Sequence, residues 1–176
     1  MLLSGERDYI RFLGTGGARF VVSQQLRSSA GIWCSFNGTN ICIDPGPGTL
    51  VHCFSGKSKL NPGDLDGIIL THRHLDHSTD ANVMVEAMTR GTFRKKGILF
   101  APADALENPE PVVFKYLREA VERVETLKEG GSYELGSIKF SCPIRHQHSV
   151  ETYGLNFKYK GLRISFITDT FYFKEL

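Results

Sequence analysis

The amino-acid sequence predicts a single domain with a layered α/β fold, and three observations support this. Candidate strands come first, candidate helices occupy the middle, and strands return in the last third, an order typical of helices packed on sheets. The 176 residues are close to the usual length of one domain, and 41% of them are hydrophobic, enough for a substantial core. No repeat, low-complexity tract or Pro/Ser-rich linker interrupts the sequence. We therefore predict one domain over residues 1–176.

The first strands are predicted from short apolar runs bounded by turn residues. A strand over residues 9–13 ends at a glycine-rich turn. Asn37-Gly38 is typical of a hairpin turn and joins strands over residues 31–36 and 40–43. Residues 67–70 form a short apolar run of the kind found in buried strands.

Two helices are predicted in the middle of the chain. The first covers roughly residues 78–90, where apolar residues recur at helical spacing, and a strand over residues 97–101 follows it. Asn108-Pro109 indicates the N-terminus of the second helix. Its buried stripe is predicted to comprise Val113, Leu117, Ala120 and Val124. The last strands are predicted over residues 138–144, 153–160 and 162–168.

Charge and hydropathy exclude several classes of protein. With 21 Lys+Arg and 19 Asp+Glu the net charge is +2, too small for nucleic-acid binding by bulk electrostatics. The longest stretch without Lys, Arg, Asp or Glu, residues 28–43, is broken by polar residues, so no membrane span is expected. Mixed charge within residues 1–8 argues against a secretory signal, and a cytoplasmic location is expected. The four cysteines form no C-x-x-C pair and are predicted to be reduced, mostly packed thiols.

A cluster of histidines predicts a metal site. His72, His74 and His77 fall within six residues together with Asp76, on a loop that follows a predicted buried strand. The spacing of His72 and His74 points both imidazoles to the same side of an extended chain. Imidazoles with a carboxylate and no nearby thiol suit Zn²⁺, or Mn²⁺ or Fe²⁺, better than Ca²⁺ or Mg²⁺. Two ligand sets this close suggest two ions, and a pair ~3.5–4 Å apart can serve hydrolysis.

The order of these residues along the chain resembles that of the metallo-β-lactamase superfamily of dinuclear metallohydrolases. The residues that carry the resemblance are Asp44, His72, His74, Asp76, His77, His148 and Asp169. The resemblance implies an αββα sandwich, two divalent ions and hydrolysis by a metal-bound hydroxide.

The resemblance also implies a role for each of these residues. His72, His74 and His148 would hold the first ion, Asp76 and His77 the second, and Asp169 would bridge the two. Asp76 would also orient or deprotonate the nucleophile. Asp44 would order the ligand loop by hydrogen bonding.

Two segments resemble one branch of the superfamily, which contains the ribonuclease Z endonucleases and cyclic phosphodiesterases. In that branch the histidine of the third motif precedes Thr/Ser-aromatic-Gly, as His148 precedes Thr152-Tyr153-Gly154 here. The run Leu13-Gly14-Thr15-Gly16 is similar to the start of the phosphodiesterases. His146 is then left as a positioning or substrate contact, or as a solvated side chain.

The branch resemblance favours a small anionic substrate, a phosphodiester or cyclic phosphate. Only 20 residues lie between His148 and Asp169, too few for the tRNA-gripping arm that such endonucleases commonly insert there. Nucleic acid is therefore not the favoured partner, although it stays open, as does a homo-oligomer. Two alternatives also stay open: a lactonase or thioesterase using the same two ions, and a non-catalytic binding module on a degraded scaffold.

The superfamily pattern calls for one more histidine after the bridging aspartate, and the seven residues after Asp169 contain none. A longer natural protein, a ligand from a neighbouring subunit, or a weakly held second ion would each explain this. The apolar run Phe171-Tyr172-Phe173 favours the first explanation, with a fold incomplete at its C-terminus. The first ion site is expected to be complete and the second to lack one protein ligand.

Overall fold

The computed structural model describes residues 8–24, 26–29, 31–55, 59–107 and 109–176, and the strands of this part form two sheets. The first sheet has the order β1-β2-β3-β4-β5-β6 and the second the order β10-β9-β8-β7. The strands are β1 (Tyr9–Phe12), β2 (Ile32–Phe36), β3 (Thr39–Ile43), β4 (Gly67–Ile69), β5 (Ile98–Ala101), β6 (Arg123–Thr126), β7 (Gly131–Leu135), β8 (Ile138–Cys142), β9 (Leu155–Tyr159) and β10 (Leu162–Phe166).

The described helices are short, and most of them connect the parallel strands β3 to β6. They are α1 (Arg19–Ser23), α2 (Thr49–Phe54), α3 (Leu75–Ser78), α4 (Ala81–Met88), α5 (Ala103–Leu106) and α6 (Lys115–Ala120). No helix in the described ranges is long and apolar enough to cross a membrane.

Two apolar cores define the layers of the fold. In the first core, Cys53 of α2 and Met84 of α4 are buried together with Leu99 of β5, so helices cover one face of the first sheet. In the second core, Phe100 of β5 packs on Phe140 of β8, with ring centroids 5.1 Å apart, so the two sheets face each other. The predicted α/β class is confirmed, and the described residues supply three of the four expected layers.

The sheet topology brings the predicted ligands together. Because β3, β4 and β5 are parallel, their carboxyl ends meet at one edge of the sheet. Asp44 follows β3 there and donates its backbone N–H to the carbonyl of Ile69, 2.8 Å away, at the end of β4. His72 follows β4 at the same edge. The second sheet contributes the segment before β9 and the segment after β10, which carry His148 and Asp169.

Several sequence-based predictions of local structure need correction. The second predicted helix is wrong at both ends: α6 begins only at Lys115, beyond Pro109 and Pro111, and Val124 lies in β6. Asn108 lies outside the described residues. Val124 pairs with Leu99, so the edge of β5 recruits as a strand the residues that the stripe assigned to a helix. The first predicted helix corresponds to the shorter helix α4 (Ala81–Met88), and Ser78, where the prediction began, is the last residue of the separate helix α3. The sequence patterns did not predict α1, α2, α3, α5 or β6.

The cysteines are packed thiols, as predicted. All four are buried and free of disulfides. Burial raises the pKa of Cys34 and of Cys142 to about 12, so both thiols stay protonated at neutral pH.

Asp8 connects the two sheets at their turns. Its carboxylate accepts hydrogen bonds from the Lys160 ammonium (2.8 Å), the Asn37 backbone N–H (2.8 Å) and the Tyr159 hydroxyl (2.9 Å). The Lys160 and Asn37 hydrogen bonds are the main causes that lower the pKa of Asp8 from 3.8 to about 2. A carboxyl group with a lowered pKa in the folded state stabilises the fold above its unfolded pKa, and this contribution is lost as pH falls towards 2.

We predict that Asp8→Asn lowers the urea midpoint of unfolding at pH 6, and that its deficit relative to the unmodified protein shrinks between pH 4 and pH 2. Urea titrations followed by circular dichroism at several pH values measure this. Glu119→Gln, on an exposed helical ion pair with Lys115, is the matched control with little effect. A deficit that is constant across this pH range contradicts the assignment.

Candidate metal centre

All six predicted ligands lie in one cluster at the carboxyl edge of the first sheet. Their potential ligand atoms form two overlapping groups, within each of which all atoms lie within 4.8 Å of one another. The first group is His72, His74, His148 and Asp169, and the second is Asp76, His77 and Asp169. His72 and His74 lie on the loop after β4, as predicted, whereas Asp76 and His77 belong to the short helix α3.

A buried carboxylate, that of Asp44, supports this loop. Its Oδ1 accepts the backbone N–H of Thr71 at 2.7 Å, and its Oδ2 accepts the Thr71 hydroxyl at 2.6 Å. The Nδ1–H of His77 donates to the same Oδ2 at 3.0 Å. Asp44 is a nearby carboxylate of the cluster too, but these hydrogen bonds occupy both of its oxygens. The hydrogen bonds of Asp44 therefore agree with the role that the resemblance implies for it.

Hydrogen bonding also determines which ring nitrogen of His72 is free. The Thr71 hydroxyl gives its hydrogen to Asp44, so the His72 Nδ1, 3.1 Å from that hydroxyl oxygen, must be the donor there. Nε2 then carries the lone pair, and it is buried without a hydrogen-bond partner. Burial, together with the neighbouring His77, lowers the pKa of His72 to about 3, so the ring is neutral at pH 7.

His74, on the loop after β4, lies next to His148, on the segment before β9 of the second sheet. The Nδ1 of His74 and the Nε2 of His148 are 3.0 Å apart, and His148 Nε2 is 4.0 Å from Asp169 Oδ2. Burial lowers the pKa of His74, and the nearby His148 lowers it further. Both rings therefore direct a nitrogen towards the same point as the free Nε2 of His72.

His77 lies among carboxylates. Its Nε2 is 3.7 Å from Asp76 Oδ2 and 3.7 Å from Asp169 Oδ1. Burial lowers the pKa of His77, but the hydrogen bond to Asp44 and the charges of Asp44, Asp76 and Asp169 outweigh it and raise the pKa to about 9. A cation bound here would have to displace the proton on Nε2.

The donor set fits a divalent transition-metal ion. Two nitrogens bound to one tetrahedral Zn²⁺ at ~2.0–2.1 Å lie about 3.3 Å apart, close to the 3.0 Å between His74 and His148. Buried polar atoms usually have a hydrogen-bond partner, so the unpartnered Nε2 of His72 is available to bind a cation. Imidazoles and carboxylates without thiolate suit Zn²⁺, Mn²⁺ or Fe²⁺.

Two cavities flank the cluster. A cleft of about 610 Å³ is lined by His74, Asp76, His148 and Asp169, with Val22 of α1 on its wall. A second cavity, of about 430 Å³, lies on the other side of Asp169, between the glycine-rich turn and the end of β10. Asp169 borders both cavities. Its side chain is 45% exposed, more than those of Asp76, His77 and His148.

Two residues near the cluster, Thr168 and His146, change the sequence-based interpretation. Thr168 was not predicted, yet its hydroxyl lies 3.2 Å from that of Thr71 and joins the Asp44 network. His146 is neither solvated nor open to substrate: it is 4% exposed and packs on Gly154, where a Cβ would meet its Nε2 at 2.6 Å. His52 lies on α2 beside Ser55, outside the cluster.

Comparisons with known proteins agree with this geometry. Residues 39–176 match a family model described as the beta-lactamase superfamily domain. An uncharacterized protein of Methanocaldococcus jannaschii is 30% identical over 175 residues, covering 97% of this chain and 64% of that protein. Ribonuclease Z of Thermococcus kodakarensis is 26% identical over 164 residues, covering 90% of this chain and 49% of the enzyme. This chain thus spans less than two thirds of either relative.

A solved structure shows the same fold. The short form of human tRNase Z superposes with a TM-score of 0.65 at 20% identity, covering 93% of this chain and 69% of that one. The family match covers most of the chain, and the fold and the sequence relatives agree with it. The chain is a member of the metallo-β-lactamase superfamily, in the neighbourhood of ribonuclease Z.

Proposed function

We propose that this protein is a metal-dependent hydrolase of small phosphodiesters or cyclic phosphates. One observation carries the proposal: nitrogens of His72, His74 and His148 converge beside a carboxylate at the edge of a cleft of about 610 Å³. Such a cleft gives a substrate access to the donor atoms, which a closed structural metal site does not.

The geometry supports the following metal assignment. His72, His74 and His148 would hold a first divalent ion, Asp76 and His77 a second, and the carboxylate of Asp169 would contact both. Zn²⁺ suits this set best, with Mn²⁺ or Fe²⁺ as alternatives. Bound ions would supply Lewis acidity, which polarises a substrate oxygen and brings the pKa of a coordinated water to ~7. The second set has only three protein side chains among the described residues, one of them shared, so we infer a lower occupancy there.

The chain's own residues would position the water and the substrate. The Asp76 carboxylate lines the cleft, and we assign to it the orientation of the attacking water and the acceptance of its proton. His77 would be held in place through its Nδ1–H bond to Asp44. The walls formed by Val22 and Leu75 are apolar and would exclude bulk water from one side of the substrate.

Two observations support a small phosphodiester. Ribonuclease Z, a sequence relative, is by name an enzyme acting on RNA, whose backbone is a phosphodiester. Between His148 and Asp169, however, the described chain forms only the hairpin of β9 and β10, with a turn at Lys160-Gly161. A tight hairpin in place of an inserted arm favours a substrate that fits within the cleft.

The metal assignment predicts that the double variant His72→Ala/His74→Ala loses tight binding at the first site. Two of three nitrogen donors are removed, so the purified variant should retain less than a tenth of the Zn²⁺ or Mn²⁺ of the unmodified protein. Metal analysis after dialysis measures this. His52→Ala, a histidine outside the cluster, is the matched control and should keep its metal. Equal metal content in the double variant would overturn the assignment.

Asp44 generates a separate prediction. Asp44→Ala leaves the Thr71 hydroxyl and His77 Nδ1–H without their acceptor, so metal affinity should fall about 10–100-fold. Asp44→Asn keeps an acceptor oxygen and a residue type that tolerates the local φ of 48°, so its loss should be smaller. Competition with a chelator of known affinity gives both values, and unchanged affinity in Asp44→Ala would contradict a positioning role.

Catalysis is tested with bis(p-nitrophenyl) phosphate beside simple lactones, with Zn²⁺ and with Mn²⁺. The phosphodiester should be hydrolysed faster, and Asp76→Asn should lower kcat at least ~10²-fold without unfolding the protein. Preference for the lactone would favour a lactonase, and hydrolysis of neither substrate by the metal-loaded protein would favour a binding module. Near-normal turnover by Asp76→Asn would remove Asp76 from the mechanism.

A further inference from the structure

A chain of polar contacts joins the loop of His72 and His74 to the loop of His148, away from the ligand atoms. Arg73, which lies between the two histidines in sequence, places its Nε 3.7 Å from Asp104 Oδ2. Asp104 is the second residue of α5, the helix after β5, and its Oδ2 accepts the backbone N–H of Glu151 at 3.0 Å. Glu151 lies three residues beyond His148. The three side chains therefore connect one predicted ligand segment to the other.

The contact between Asp104 and Glu151 is reciprocal. The Oε2 of Glu151 accepts the backbone N–H of Asp104 at 3.3 Å, while the Tyr153 hydroxyl donates to Oε1 of Glu151 at 2.6 Å. Each carboxylate is thus fixed to the other's main chain, which restricts both segments more than one side-chain contact would. Arg73 places a positive charge beside the carboxylate of Asp104.

This connection acts where the cluster has least local support. His74 and His148 are 74 residues apart in sequence, yet their ring nitrogens must be held 3.0 Å apart. Between the two loops the main chain contributes the hydrogen bond from the Tyr153 N–H to the Thr71 carbonyl, 3.1 Å long. Asp44 supports Thr71 and His77 but makes no described hydrogen bond to the His148 segment. The contacts between Asp104 and Glu151 therefore provide a second connection between the two loops.

We propose that Asp104 and Glu151 are positioning residues that set the spacing of His74 and His148. The inference rests on the proposed metal site for its consequence, which is metal affinity, but the spacing of the rings is a property of the protein alone. Loss of either carboxylate should free the two loops from each other and separate the ring nitrogens.

Cobalt binding tests the consequence. Co²⁺ reports its coordination through visible absorption, so titration yields both a Kd and a spectrum. Asp104→Ala and Glu151→Ala should each weaken Co²⁺ binding about 10–100-fold and alter the absorption. Asp104→Asn, which keeps an acceptor for the Glu151 N–H, should recover part of the loss. Glu110→Ala is the matched control. Glu110 is the other carboxylate partner of Arg73, and its own side chain is 75% exposed, so this variant should bind Co²⁺ as the unmodified protein does.

The ring spacing is measured separately in metal-free protein by nuclear Overhauser effects between the His74 and His148 rings, whose centroids lie 4.8 Å apart. The effect should be present in the unmodified protein and in Glu110→Ala, and weakened in Asp104→Ala. If Asp104→Ala does not fold, Glu151→Ala, which leaves α5 unchanged, provides the same comparison. Failure of the unmodified protein to bind Co²⁺ would overturn the proposed function, and the Overhauser comparison would still decide the positioning role. Unchanged ring contacts and an unchanged Kd in folded variants would overturn the inference.

Discussion

The buried carboxylate of Asp44 is the interaction on which the rest of the centre depends. It accepts three hydrogen bonds, two from Thr71 and one from His77, and so joins the end of β3 to both halves of the ligand segment. Because the Thr71 hydroxyl gives its hydrogen to Asp44, it can only accept from His72, whose Nδ1 must then carry the hydrogen. One carboxylate thereby fixes the tautomer of His72 and the ring orientation of His77. The parallel pairing of β3 with β4 makes this contact available.

The clustering of the candidate ligands could be predicted from sequence because most of them lie close together along the chain. His72, His74, Asp76 and His77 follow a buried strand within six residues, and few functions other than metal binding need such a run. The supporting residues could not be predicted in this way. Asp104 and Glu151 are 47 residues apart, and nothing in either local pattern indicates the other. Such pairs arise from the packing of loops at one sheet edge.

His146 shows the limit of an argument from periodicity. Residues two apart point to the same side only in regular extended chain, and the sequence places His146 and His148 at that spacing. In the structure residues 146–148 belong to no strand, so one ring enters the core while the other faces the cluster. The predicted helix over Val124 failed for a related reason. An apolar stripe indicates burial but not the type of element, and pairing with β5 places the partly buried Val124 in a strand.

The side chains of the cluster differ in their exposure to solvent. The side chain of His72 is fully buried, those of His77, Asp76 and His148 are 14%, 19% and 19% exposed, and that of Asp169 is 45% exposed. A cation at this centre would therefore be bound by the buried His72 at the sheet edge, and solvent would reach it from the side of Asp169. Burial of His72 keeps its ring neutral and its lone pair available, whereas exposure at Asp169 leaves room for a substrate oxygen beside the carboxylate. The cluster thus places the buried nitrogen of His72 at the sheet edge and the exposed carboxylate of Asp169 beside the cleft, an arrangement that fits an accessible metal centre.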